Sequence, residues 1–316
     1  MSSASPSPPQ VILVTGCSSG IGQATADLLA RCGHLVYASA RRAESVDALA
    51  QWAAACHGNA HALTLDVTDE TSITTAVRQV LDKQGRLDCL INNAGYGQAG
   101  AVEDVTPDLW RRQLETNLIG AIALTQAVLP TMRAQRRGRI INVSSAAAHV
   151  SLPLLGAYCA AKHALDAFSN ALRAEIASFG IDVVLVEPGP ITARFRDNME
   201  HNLARHPIHT NSPYENLYRA LQAYWHMQVG RKSKTSADVA RLIRKAVQAR
   251  KPRTRYRITA IAKVVPWIQP FIPDRVFDRA VLHSMRALLR KADSRRQRVE
   301  CQRLEHCEEI HRRCGG

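Results

Sequence analysis

The amino-acid sequence predicts an α/β fold: one domain on a doubly wound parallel sheet, with a C-terminal helical lid and a basic tail. Three observations predict it. Val11-Ile-Leu-Val14 is the apolar, β-branched run that a strand buried on both faces requires, and a glycine-rich turn and a helical pattern follow it directly. Strand and helix patterns then alternate as far as about Val186. No linker and no internal repeat interrupts that span of the 316-residue chain, a length that suits one large α/β domain or two small ones.

The first strand leads into Thr15-Gly-Cys-Ser-Ser-Gly-Ile-Gly22, and Gln23 to Arg31 reads as a helix with Ala24, Leu28 and Leu29 on its apolar side. Strand, glycine turn and helix make a Rossmann-like mononucleotide-binding unit. Glycines let the backbone approach a pyrophosphate, and the helix N-terminus offers free N–H groups and the positive end of its dipole. A tight turn without a ligand is the plain alternative. The second strand begins at Leu35 and ends where an NAD-binding unit places an acidic residue. Ala40 stands there instead, and Arg41 and Arg42 follow. Guanidinium groups bind phosphate well and no carboxylate opposes a 2′-phosphate, so the pattern favours NADP(H) over NAD(H). Two solvated loop arginines would give the same pattern. Leu65-Asp66-Val67-Thr68 ends the third strand, and Asp66 is placed to cap a helix around Thr71 to Lys83. Further strands are expected at Leu87 to Ile91, Arg139 to Ser145 and Ile181 to Val186. Between the last two, Tyr158 and Lys162 stand four residues apart, about one helical turn, and so share a helix face. A lysine ammonium held near a phenol favours the phenolate and lowers its pKa from about 10 toward the working range of an acid–base catalyst.

The spacing Thr15-Gly-x-x-x-Gly-x-Gly resembles the cofactor turn of the short-chain dehydrogenase/reductase family. Further motifs follow in that family's order. Asn92-Asn-Ala-Gly95 is similar to its motif beside the adenosine half of the cofactor, and Asn117 in Glu-Thr-Asn-Leu matches its helical asparagine. Ser145 lies thirteen residues before Tyr158, a spacing that selects it over Ser144, and Pro188-Gly-Pro-Ile-Thr192 resembles the nicotinamide-side turn. The resemblance spans roughly residues 10 to 285 and implies the following roles. Tyr158 is the general acid or base, and Lys162 supports it and bonds the nicotinamide ribose. Ser145 donates to the substrate oxygen, and Asn117 positions a water that links Lys162 to solvent. The cofactor would be held by Gly16, Ser18, Ser19, Gly20, Ile21 and Gly22, then by Arg41, Arg42, Asp66 and Val67. It would also meet Asn93, Ala94 and Gly95, Tyr158 and Lys162, and Pro188, Gly189, Ile191 and Thr192 on the nicotinamide side. The resemblance is strongest to the hydroxysteroid and retinol dehydrogenase branch and its bacterial relatives. It implies an oxidoreductase that interconverts a carbonyl and an alcohol, on a lipophilic substrate. A non-catalytic dinucleotide sensor or scaffold, or an epimerase or dehydratase on the same fold, is the alternative. A homodimer or homotetramer is the family expectation.

The rest of the chain is read from composition. The resemblance, rather than composition, implies that residues 191–230 form a lid over the substrate, and this stretch holds Phe195, Met199, Tyr214, Leu217, Tyr218, Leu221, Tyr224, Trp225 and Met227 as apolar side chains. Packing within the lid helices accounts for such residues equally well. Residues 231–263 hold twelve Lys/Arg and one Asp, against a net charge of +14 for the whole chain. Ser236 to Val247 is an amphipathic helix within that stretch, and Lys251 to Arg257 is a basic run. The patch reads as a solvated face or as a site of peripheral contact with anionic membrane, and the apolar, proline-broken Val264 to Ile272 beside it suits the same surface. No recognition motif accompanies the charge, so nucleic-acid binding is not expected. Residues 1–10 are expected to be disordered and lack the segments of a signal peptide, and the domain proper to run from 11 to 285. Residues 286–316 read as a weakly ordered basic tail. Cys17, Cys32, Cys89 and Cys159 read as small buried hydrophobes in a reducing, cytoplasmic setting. Cys301, Cys307 and Cys314, even with His306 and His311, match no zinc spacing, and no metal is expected.

Overall fold

The computed structural model describes residues 8–56, 58–191, 194–205, 212–228 and 234–290, together with Ser294. Thr192 and the cysteine group after residue 300 lie outside the described residues, as do the side chains of Phe195 and Met227. The strands are β1 (Val11–Val14), β2 (Leu35–Ala40), β3 (Ala60–Thr64), β4 (Cys89–Asn92), β5 (Gly138–Val143), β6 (Ile181–Glu187) and β7 (Arg255–Arg257). The helices are α1 (Gly20–Arg31), α2 (Ala43–Ala54), α3 (Glu70–Gln84), α4 (Pro107–Leu114), α5 (Gly120–Ala134), α6 (Gly156–Glu175), α7 (Arg194–Arg205), α8 (Glu215–Gln228), α9 (Ser236–Gln248) and α10 (Ala260–Ile268). A further helix, α11, covers residues 274–290.

All seven strands pair in parallel, in the order β3-β2-β1-β4-β5-β6-β7. The order reverses between β1 and β4, which opens a crevice at their carboxyl ends. Register brings those ends level: Val14 lies opposite both Ala38 and Ile91. Apolar side chains cover both faces of the sheet. On one face Ala26, Leu29, Leu49, Val239 and Ile243 from α1, α2 and α9 pack on alternate strand residues. On the other, Ile73, Val77, Leu124, Val128 and Leu172 from α3, α5 and α6 do so. The doubly wound expectation follows directly from this two-sided burial.

Several boundaries differ from those expected. Asp69, not Asp66, caps α3, accepting from the Thr71 and Ser72 N–H groups. The basic run Lys251 to Arg257 contains edge strand β7, with Leu185 opposite Arg255 and Glu187 opposite Arg257. Residues 8–10 are not loose: the Gln10 N–H donates to His34, and the Pro9 carbonyl accepts from Arg86. Helix α11 continues past residue 285, where the weakly ordered tail was expected to begin, as far as 290. Cys17, Cys89 and Cys159 are buried as expected, but Cys32 at the end of α1 is exposed.

Helices α7 and α8, where the lid was expected, contribute to one apolar cluster. Met199, Leu203, Tyr218, Leu221 and Trp225 form a buried cluster with Ala99, Ala101 and Leu154. The Tyr218 hydroxyl bonds Asp104 and accepts from the Ala101 N–H, each at 2.8 Å. These side chains are therefore lid core rather than pocket lining, while Tyr214, Leu217 and Tyr224 stay partly exposed at its edge. Leu154 holds a left-handed backbone (φ 65°), and its carbonyl accepts from Gly100 at 2.8 Å. A branched residue kept in that region costs energy that the surrounding contacts must offset.

Candidate active site

The crevice is built from turns that leave the carboxyl ends of β1, β4, β5 and β6. After β1 the chain turns through Gly16 to Gly22 into α1. A Cβ on Gly22 would lie 2.2 Å from the Gly16 carbonyl oxygen, so only glycine closes this turn. Gly20 has φ +64° and nothing within 4 Å of the place its Cβ would occupy, so the turn keeps an open cradle at the helix N-terminus. Ser19, the residue before α1, makes no side-chain cap, which leaves the first-turn N–H groups to an incoming anion. Asn93 ties this turn to the one after β4, donating to the Thr15 and Gly16 carbonyls at 2.8 and 3.2 Å. The Thr15 hydroxyl in turn accepts from the Asn93 and Ala94 N–H groups, both at 2.9 Å, a role the sequence did not suggest. The open cradle and the uncapped helix end fit a dinucleotide pyrophosphate.

Beside the turn lies a cavity of about 520 Å³, lined by Cys17, Ser18, Arg42, Glu44, Ser45 and Trp52, among others. The two arginines separate here. Arg42 lines the cavity, whereas Arg41 reaches across to Asp66 at 3.7 Å. Asp66 also accepts from the Thr68 N–H and hydroxyl, and Val67 is buried beneath α5.

Between α4 and α5 the helix widens into a π turn, Glu115–Ile119, and Asn117 sits in it, buried. Both ends of its amide are engaged: Oδ1 accepts from the Tyr96 N–H at 3.1 Å and Nδ2 donates to the Tyr96 carbonyl at 2.8 Å. The side chain thus clamps the chain directly after Gly95, and π turns recur at functional sites for this kind of local re-aiming.

Ser145 closes β5. Its hydroxyl accepts from the Ala147 N–H at 3.1 Å and is hydrogen-bonded to the Tyr158 phenol. The Ser144 hydroxyl, by contrast, is buried and has no hydrogen-bond partner among the described residues. Tyr158 and Lys162 share the face of α6 as expected, with Lys162 Nζ 5.9 Å from the tyrosine ring centre and donating to the Val143 carbonyl at 2.8 Å. The electrostatics differ from the sequence expectation. Burial pushes the Tyr158 phenol up to about 12, and the Ser145 bond draws it back only in part. Burial also brings the Lys162 ammonium down to about 8. Desolvation disfavours the charged form of both groups, and it, rather than the lysine, sets the phenol's proton affinity here. Tyr158 is therefore held as a proton donor at neutral pH.

β6 ends in Glu187, and Pro188 and Gly189 follow. The Pro188 carbonyl accepts from the Ala146 N–H at 2.8 Å, joining this turn to the one that carries Ser145, and Ile191 packs on the core beyond it. Glu187 is fully buried and anchors a charge network that the sequence reading missed. Its carboxylate meets His149 at 3.1 Å, Arg257 at 2.6 Å and Arg255, which also bonds Asp166 and Asn170 on α6. The bonds from His149, Arg257 and Arg255 hold the Glu187 pKa down, near 2, against burial, which pushes it up. A carboxylate in the otherwise apolar run Val183 to Val186 was the signal in the sequence. Arg255 and Arg257 are consequently not free surface charges. His149, Asp166 and Glu187 approach one another closely enough to hold a cation, but the two guanidinium groups already balance them.

A family model for short chain dehydrogenases matches residues 10–204. A 3-ketodihydrosphingosine reductase of Bacteroides thetaiotaomicron is 42% identical over 60% of this chain and 67% of its own. The uncharacterized oxidoreductase YbbO of Escherichia coli (strain K12) is 33% identical over 85% of this chain and 92% of its own. Among solved structures, a short-chain dehydrogenase from Streptomyces avermitilis superposes with a TM-score of 0.70 at 30% identity, covering 95% of this chain and all of that one. A metagenomic short-chain oxidoreductase in complex with NADP superposes at 0.62 with 27% identity, covering 79% of this chain and 97% of that one. The open cradle for a dinucleotide, the Ser145–Tyr158 pair with Lys162 one turn on, and these matches have one common explanation: the chain is an oxidoreductase of the short-chain dehydrogenase/reductase family, which binds nicotinamide dinucleotides.

Proposed function

We propose that this protein reduces a lipophilic carbonyl compound, or oxidises the corresponding alcohol, with NADP(H) as cofactor. The observation that carries the reading is the hydrogen bond between Ser145 and Tyr158 at the crevice, with Lys162 on the same helix face. The bound cofactor supplies the hydride. Tyr158 delivers its proton to the carbonyl oxygen, and Ser145 donates a second hydrogen bond where negative charge develops. Lys162, still protonated at neutral pH, stabilises the phenolate left behind. Asn117 fixes Tyr96 and with it the turn from Asn93 to Gly95, along the cofactor's path. Arg42 is the proposed 2′-phosphate ligand, at the cavity beside Ser18. The lipophilic substrate class is supported by the ketodihydrosphingosine named for the Bacteroides relative and by the partly exposed Leu217 and Tyr224 at the edge of the α7–α8 cluster. A homodimer or homotetramer paired through the helices of Asn117 and Tyr158 accompanies the reading, as do the free buried thiols, which suit a reducing compartment.

Tyr158→Phe tests it. The variant should bind NADPH normally, by fluorescence titration, and lose about 100- to 10,000-fold in turnover on long-chain ketones or aldehydes. Unchanged turnover would sink the mechanism. A panel of steroids, retinoids, fatty aldehydes and short ketones, followed by NADPH absorbance, sets the substrate class.

A further inference from the structure

Beside the site lies a surface that the sheet does not bury. Helix α10 begins at Thr259, whose side chain fills the space next to Gly189, and it packs over the turn at 146–148 that follows Ser145. Ala262 faces inward and is fully buried. Ile261, Val264 and Ile268 recur at helical spacing on the outer side and are 49–51% exposed. Trp267 and Phe271 stand out further, at 72% and 85%. Isolated exposed apolar residues are ordinary, but a contiguous group led by a tryptophan and a phenylalanine marks a contact surface.

Charge decides what covers it. Lys263 on α10 and Arg275, Arg279, Arg286 and Arg290 on α11 are all exposed, against Asp274 and Asp278. A two-fold contact with a second copy would set this cationic surface against itself, in a chain that carries +14. A bilayer with acidic headgroups meets both features: Trp and Phe seat at the headgroup level, and the cations meet lipid phosphates. Among the described residues no helix is long and apolar enough to cross a membrane, so the contact lies on the surface.

We propose that α10 and α11 seat the protein on an anionic bilayer, with the Gly189 side of the crevice turned to the lipid, and that substrate enters from the membrane. The entry route rests on the lipophilic-substrate reading; the docking surface does not. The test uses the full chain with vesicles of phosphatidylcholine alone or mixed with phosphatidylglycerol. Co-sedimentation should be at least ten-fold greater with the acidic vesicles and should fall as salt is raised. The double variant Trp267→Gln, Phe271→Gln should lose that binding while reducing a short soluble aldehyde at the original rate. Its rate on a long-chain ketone held in acidic vesicles should fall at least ten-fold. Absence of sedimentation by the unaltered protein would overturn the proposal. So would sedimentation velocity showing a dimer that the double variant dissolves, which would assign the face to a second copy. Binding to acidic vesicles with no reductase activity on any carbonyl would leave the surface standing and remove the substrate reading.

Discussion

At the scale of single residues, the two arginines after β2 look equivalent in the sequence and are not equivalent in the fold. Arg41 is drawn to Asp66, while Arg42 lines the cavity beside the glycine turn, with Glu44 as its acidic neighbour. Arg42→Ala should therefore cost roughly 1.5–3 kcal/mol of NADPH binding, the worth of a charge-assisted hydrogen bond, and leave NADH almost unaffected. Arg41→Ala should cost clearly less. Catalytic efficiencies with both cofactors measure it, and an unaltered protein that already prefers NADH would refute the assignment. The acid–base pair makes a second expectation. The buried Lys162 loses its proton above about 8, and with it the support for a phenolate. Carbonyl reduction should be level through neutral pH and decline above about 8, and a rate that instead climbs through pH 9 would contradict the role given to Lys162. The placement of Tyr158, Lys162, Ser145 and Asn117 around one crevice was legible because each sits at a fixed offset from a strand or a turn, and their catalytic roles remain the proposal. Their proton affinities were not legible, because desolvation depends on how completely the folded crevice buries Tyr158 and Lys162, which spacing in the sequence does not give.

Elements act through their ends, and β6 shows how. Its last residue, Glu187, links the Pro188-Gly189 turn to α6 through Arg255 and Asp166, to β7 through Arg257 and to the Ser145 turn through His149. Its pKa lies near 2 in the fold, below the ordinary 4.5, so folding is favoured by the ionised form. That contribution is complete above about pH 4.5 and is lost as pH falls toward 2; a shift of this size corresponds to roughly 3 kcal/mol. Glu187→Gln leaves two partly buried guanidinium groups without their shared carboxylate, although Arg255 keeps Asp166, and should destabilise by about 2–3 kcal/mol at pH 7. Urea unfolding at pH 7 and pH 3 reads both effects, and a Glu187→Gln variant as stable as the original at pH 7 would show the network to be dispensable. Strands β1 and β6 were legible because two-sided burial demands unbroken apolar runs. β7 was not: Arg255-Tyr-Arg257 reads as a solvated basic run unless one knows that carboxylates from α6 and β6 wait opposite it. The π turn at Asn117 was hidden for a related reason, since its pattern of apolar residues is that of a continuous helix.

Across the molecule, apolar packing among the described residues forms two large clusters on the faces of the sheet, a small one at Tyr158 and a separate one that joins α7 and α8. The sheet clusters take alternate residues of the same strands, on opposite pleats, so neither opens without the other. The α7–α8 cluster rests instead on Ala99, Ala101 and the strained Leu154, and its polar ties include Tyr218 to Asp104 and Tyr214 to Glu103. This separation was not legible in the sequence. Tyr, Leu and Trp at these spacings suit a ligand pocket or a packed helix pair equally, and only long-range contacts choose between them. It has a consequence for dynamics. Regions with few buried contacts to the main core open locally at lower free energy than the core itself. Backbone amides of α8 should therefore exchange with solvent faster than those of β4 and β5, by an opening that leaves the sheet intact. Saturating NADPH should slow exchange in the turn from Gly16 to Gly22 far more than in α8, whereas a lipophilic product held under the lid should slow α8. Hydrogen exchange followed by mass spectrometry separates these segments. Equal protection of α8 and β4 in the protein alone would mean that the lid and the sheet unfold as one unit. Substrate would then have to reach Tyr158 by an opening other than the lid.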